Sequence, residues 1–66
     1  MSMNSRARFV QRLIGGSHQG ILQQIGILGV QSKDYAMENQ VPLKVADAIL
    51  LGVSMEDAKK AAEEAK

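Results

Sequence analysis

Residues 13–32, LIGGSHQGILQQIGILGVQS, contain no Asp, Glu, Lys or Arg. An uncharged run of this length could be a membrane span, a phosphate loop, a core segment or a contact between copies. Its composition decides the first. A spanning helix needs about 20 predominantly apolar residues, and this run holds four Gln, one His, two Ser and five Gly. It does not span. The glycines also divide it. Gly15-Gly16 and Gly29 are natural helix stops, because glycine adopts the left-handed conformation that closes helices at no steric cost. The run therefore predicts one short amphipathic helix with its flanks.

Helical periodicity continues on both sides. No segment alternates with period two, and β-branched or aromatic residues do not cluster. Ser5 is placed to cap a first helix over residues 6–14, with Phe9, Val10, Leu13 and Ile14 on one side. Ser17 is the natural N-cap of a second helix over 18–28. At about 100° per residue, its Ile21, Leu22, Ile25 and Leu28 share a face, with Gln19, Gly20, Gln23 and Ile27 opposite. Ser32 can cap a third helix through about residue 38, with Tyr35 and Ala36 inward. Pro42 suits the first turn of a fourth helix over 43–51, where its missing N–H costs nothing. In that helix Lys44, Asp47 and Leu51 fall on one stripe, read as the polar side. Ser54-Met-Glu-Asp57 resembles a capping box and opens a fifth helix that runs to the C-terminus. Its apolar stripe is Met55, Ala58, Ala62 and Ala65, and Glu56 and Lys60 form a favourable i,i+4 pair. The expected fold is all-α: four or five short helices in one domain, residues 1–66, around Phe9, Leu13, Leu22, Ile25, Val45, Ile49 and Leu50.

A chain of 66 residues buries only about 60% of the surface its unfolded form exposes, so its stability is marginal. Disulfides, metals or self-association usually support domains of this size. There is no cysteine and only one histidine, His18, which leaves self-association and argues against a metal or cofactor. Absence of cysteine also fits a cytoplasmic location. Residues 1–33 carry a net charge of +4 and residues 34–66 carry −3. Such asymmetry can pair within a chain or between chains.

Chemistry-bearing patterns are few. Gly15, Gly16, Ser17 and His18 form a glycine-rich turn into a helix N-terminus, with Arg12 one turn before it. That arrangement presents free N–H groups to an anion such as a phosphorylated small molecule. It lacks the Lys-Ser/Thr of a phosphate loop and has no preceding strand. His18 has no acid, nucleophile or second histidine near it in sequence, and the adjacent pairs Glu56/Asp57 and Glu63/Glu64 diverge around a helix. No catalytic set is legible, and the chain is expected not to be an enzyme. Ile27 stands among glutamines on the outward face of the second helix, and Leu51 on the polar stripe of the fourth. An uncharged face of this kind suits the interior of a protein interface, where charge is depleted. Gln23, Ile27 and Leu51 are therefore the expected contacts of a homo-oligomer.

The stretch VPLKVADAILLGVSMEDA, residues 41–58, resembles the C-terminal part of Cro-like and CII-like phage helix-turn-helix regulators. Leu28-Gly29-Val30 is similar to the turn of that motif, and Tyr35 stands near its apolar position in the recognition helix. The resemblance covers residues 21–58 and implies a DNA-binding regulator. The recognition helix it implies, residues 32–39, has one Lys against Asp34 and Glu38. Phosphate contact would therefore fall chiefly to Arg6, Arg8 and Arg12, with Lys33. The expectation is a non-enzymatic binding or regulatory module that self-associates, of the kind found among phage and mobile-element accessory proteins. DNA or a phosphorylated small molecule is the alternative partner.

Overall fold

The computed structural model describes residues 2–64. They form α1 (Met3–Ile14), α2 (His18–Leu28), α3 (Val30–Asn39), α4 (Leu43–Leu50) and α5 (Met55–Glu64), with no strand among the described residues. The fold is all-α, a small bundle of short helices. None of these helices is long and apolar enough to cross a membrane.

The bundle is built around α4. Val45, Ala46, Asp47 and Ala48 are all buried. Neighbouring residues diverge by about 100° around a helix, so four buried in succession mean that α4 is covered on every side. Its neighbours are α1, α3 and α5, while α2 packs on α1. Four of the ten buried apolar residues are alanines: Ala7, Ala46, Ala48 and Ala58. Alanines let helices approach closely but remove little apolar area from water. The transfer energy therefore rests on Phe9, Val10, Ile21, Ile25 and Val45, with Leu13, Leu22, Tyr35, Ala36 and Ile49 packed at the margin. Leu50 is half-buried outside that cluster, and Ile14 is largely exposed.

Helix starts follow local chemistry, with three departures from expectation, one of them that Pro42 is the N-cap of α4 and lies just before its first turn. The first helix begins at Met3 and not at residue 6, because Ser2 is the cap. Its Oγ accepts the Ser5 N–H at 3.2 Å. Ser5 thus lies inside the first turn. Ser17 caps α2 as expected, its Oγ accepting the Gly20 N–H at 3.0 Å. Ser54 does the same for α5 through the Asp57 N–H at 3.1 Å. The third departure is Ser32, which does not cap the third helix. Gly29 ends α2 and opens α3 by itself, at φ 54° and ψ −125°, a conformation open in practice only to glycine. The chain leaves α2 and enters α3 through that one residue, so α3 starts at Val30 and Ser32 falls inside it. Leu51 caps the C-terminus of α4. Of the expected stripe on α5, Ala58 is buried and Ala62 half-buried; Ala65 lies outside the described residues.

Ser32 is fully buried, and its Oγ has no hydrogen-bond partner. An unpaired buried hydroxyl costs about 1–3 kcal/mol, and alanine is the better helix former. Ser32→Ala is therefore expected to raise the melting temperature, by about 4–8 °C for each 1 kcal/mol gained in a domain of this size. A thermal melt followed by circular dichroism checks it; a fall in melting temperature would mean that the hydroxyl is paired after all.

Candidate interaction surface

The arginines of α1 have separate fates. Arg6 is buried, and its guanidinium donates to both oxygens of the fully buried Asp47: Nε to Oδ2 at 2.6 Å and Nη2 to Oδ1 at 2.9 Å. This planar two-point geometry is the strong form of the ion pair. It ties α1 to α4 across 41 positions of sequence. Asp47 accordingly faces inward, which overturns its assignment to a polar outer side of the fourth helix. A carboxylate isolated in an apolar core would be prohibitively costly, so its stripe becomes the covered one when Arg6 meets it. The Asp47 hydrogen bonds raise the Arg6 pKa above its ordinary value, against the opposing effect of desolvation and with help from the Asp47 charge. The stabilisation linked to a raised pKa is complete below the ordinary guanidinium value and fades only above it. Arg6 therefore adds no pH dependence near neutrality.

With Arg6 committed to Asp47, Arg8 and Arg12 remain on the exposed side of α1, and Lys33 is exposed on α3. The Arg12 guanidinium lies 6.0 Å from the centroid of the Phe9 ring, and Lys44 Nζ approaches that ring to 5.0 Å. Arg12 also borders an open cleft of about 350 Å3 with Phe9, Leu13, Ala61 and Glu64. A second cleft, of about 440 Å3, lies between the α3–α4 connection and α5, where Lys44, Lys59 and Glu63 mix both signs of charge.

At the glycine-rich turn, Gly15 and Gly16 both have positive φ, 77° and 87°. Much of the turn's polar capacity is used internally. Gln11 Nε2 donates to the Gly16 carbonyl at 2.8 Å, Ser17 Oγ holds the Gly20 N–H, and His18 Nε2 lies 3.2 Å from Asn4 Oδ1. Among the described residues, no three of His, Cys, Asp or Glu gather as metal ligands.

The expected interface residues divide as well. Gln23 is exposed and Ile27 is 72% exposed. Leu51 is half-buried against this chain's own core, packed by the same inward turn of α4 that buries Asp47. It therefore leaves the candidate surface. Two residues join it: Val30 at 70% and Met37 at 79% exposure. Ile27 and Val30 stand three residues apart across the α2–α3 junction, and Met37 follows two turns later on the same side of α3. Large apolar side chains this exposed, and this close along the chain, make a candidate interaction site of a kind that scattered surface residues do not. The signal for Val30 and Met37 was their seven-residue spacing. Placing the helix start at Ser32 left Val30 outside the helix and hid it.

Comparison of this chain with protein-family models, with curated proteins and with solved structures finds no match.

Proposed function

We propose that this protein is a non-enzymatic helical binding module that works as a homo-oligomer, with Ile27, Val30 and Met37 at the contact. The observation that carries this reading is their exposure, 70% or more for each, on elements otherwise held in a well-packed bundle. The surrounding α2 surface, Gln23 and Gln24, is polar but uncharged, as the inner part of an interface tends to be. The outward side of α3 offers Val30, Lys33, Asp34, Met37 and Glu38, a set with more acid than base. That set suits a protein partner better than a phosphate backbone, which demands clustered cations.

The test is a double variant, Ile27→Lys/Met37→Lys, compared with the parent protein by size-exclusion chromatography with light scattering. Both positions are solvent-exposed, so the helical circular dichroism should be unchanged. The expected result is a parent of multiple mass and a variant of single mass. A variant that associates as strongly as the parent would remove this surface from the account.

A further inference from the structure

The outward face of α3 carries a charge pattern that specifies how two copies would meet. Viewed down the helix at about 100° per residue, Val30 and Met37 fall within about 20° of each other and form a ridge. Lys33 lies about 60° to one side of Val30, and Asp34 about 40° to the other. All four are exposed. Glu38 lies beyond Asp34 on the acidic edge. Among the described residues the one ion pair is Arg6–Asp47, so Lys33 and Asp34 are free to pair elsewhere.

We propose that two copies of this chain pair through α3, helix beside parallel helix, about a two-fold axis running along the helix direction. The inference rests on the self-association reading above and adds its geometry. Rotation about such an axis keeps each residue at its own height and exchanges the left and right edges. Val30 then meets Val30, and Met37 meets Met37. Lys33 of each copy meets Asp34 of the other, so both edges carry an opposite-charge pair. A two-fold axis lying across the helix gives the antiparallel alternative and exchanges no edges. It would set Lys33 against Lys33 and Asp34 against Asp34. Like charges placed opposite one another disfavour that orientation and so select between the two.

The parallel arrangement is closed, because each copy uses the same patch and none is left for a third. A standard interface takes roughly 800 Å2 from each partner, close to a fifth of the 4249 Å2 this chain exposes. With ten residues, α3 is about 15 Å long, too short to supply that area alone. Ile27, in the last turn of α2, and Gln23, one turn before it, extend the contact.

Single cysteines read the orientation directly, since the chain has none of its own. Val30→Cys and Met37→Cys are purified separately, oxidised alone and as an equimolar mixture, and compared with Lys60→Cys, exposed on α5 and outside the proposed contact, as the collisional background. Parallel pairing gives disulfide-linked dimers from each variant alone, at least several-fold above that background. In solution, Lys33→Asp should weaken dimerisation at least ten-fold, and the exchange Lys33→Asp/Asp34→Lys should restore it. If the unmodified protein is a monomer by light scattering, the self-association reading fails and this geometry with it. If it is a dimer whose cysteines link only in the mixture, pairing is antiparallel; if they link in neither, another surface is used. Either of these last results overturns the proposal and leaves self-association standing.

Discussion

Asp47→Ala is expected to unfold most of this protein at room temperature. Removing one partner of a buried ion pair leaves the other charge buried and uncompensated, at a cost of about 3–5 kcal/mol. Stability of about 0.05–0.15 kcal/mol per residue gives a 66-residue chain about 3–10 kcal/mol, and a small core in which four of ten buried apolar residues are alanine places this one toward the lower end. Arg6 cannot escape to water by a small rotation, because its side chain is only 10% exposed and spans from α1 to α4. The expected result is a loss of helical signal at 25 °C, partly recovered with a stabilising osmolyte. A second variant separates charge from packing. Arg6→Met/Asp47→Leu replaces the pair with apolar groups of similar length and should fold with stability near or above the parent's, since such replacements are often neutral or stabilising. If Asp47→Ala melts within 1–2 °C of the parent, the ion pair does not hold α1 on α4.

Phe9→Ala comes next in size, with an expected loss of about 3–5 kcal/mol. Phe9 is 3% exposed, and it is the only aromatic residue fully inside a core whose other members are aliphatic, many of them alanine. Lys44 and Arg12 lie over its ring, which raises the question of which contribution dominates. Cations that remain in contact with water, as these two do, contribute about 0.5–1 kcal/mol over a ring. Burial of the side chain contributes about 1.5–3 kcal/mol, and the cavity left by its removal adds to the loss. Burial wins. Phe9→Leu should therefore recover most of the stability although it abolishes the cation contact, and Lys44→Ala should cost under about 1 kcal/mol. Urea unfolding in the Ser32→Ala background would provide the margin needed to measure these losses. A Phe9→Leu variant as unstable as Phe9→Ala would show that the ring's electrostatics had been underrated.

Much of the helical plan is legible in the amino-acid sequence. Residues 18–28 and the Ser17 cap could be read from one serine, two glycine stops and an apolar face, all local signals. The fourth helix followed from Pro42 and its apolar run. The misreadings arose where the deciding partner was distant. Asp47 reads as a surface residue until Arg6, far earlier in the chain, is known to face it. An acid inside an otherwise apolar helix, with an arginine at the start of another, was the available hint. Helix starts were harder because serine serves equally as a cap or as an interior residue. Ser2 rather than Ser5 opens α1, and Gly29 rather than Ser32 opens α3. The second of these errors shifted the third helix and concealed Val30. Of the candidate surface, Gln23 and Ile27 were legible from helical projection, whereas Leu51 was assigned outward with Asp47 and proved inward for the same reason.

Self-association through the α2–α3 surface is the claim on which the functional reading stands. Native mass spectrometry of the unmodified protein, sprayed from a near-physiological ammonium acetate solution over a range of concentrations, tests it most directly. A dimer that persists as the protein is diluted to low micromolar concentration is the expected result. A clean monomer at every concentration would contradict it, leaving Ile27, Val30 and Met37 to be covered by something other than a second copy.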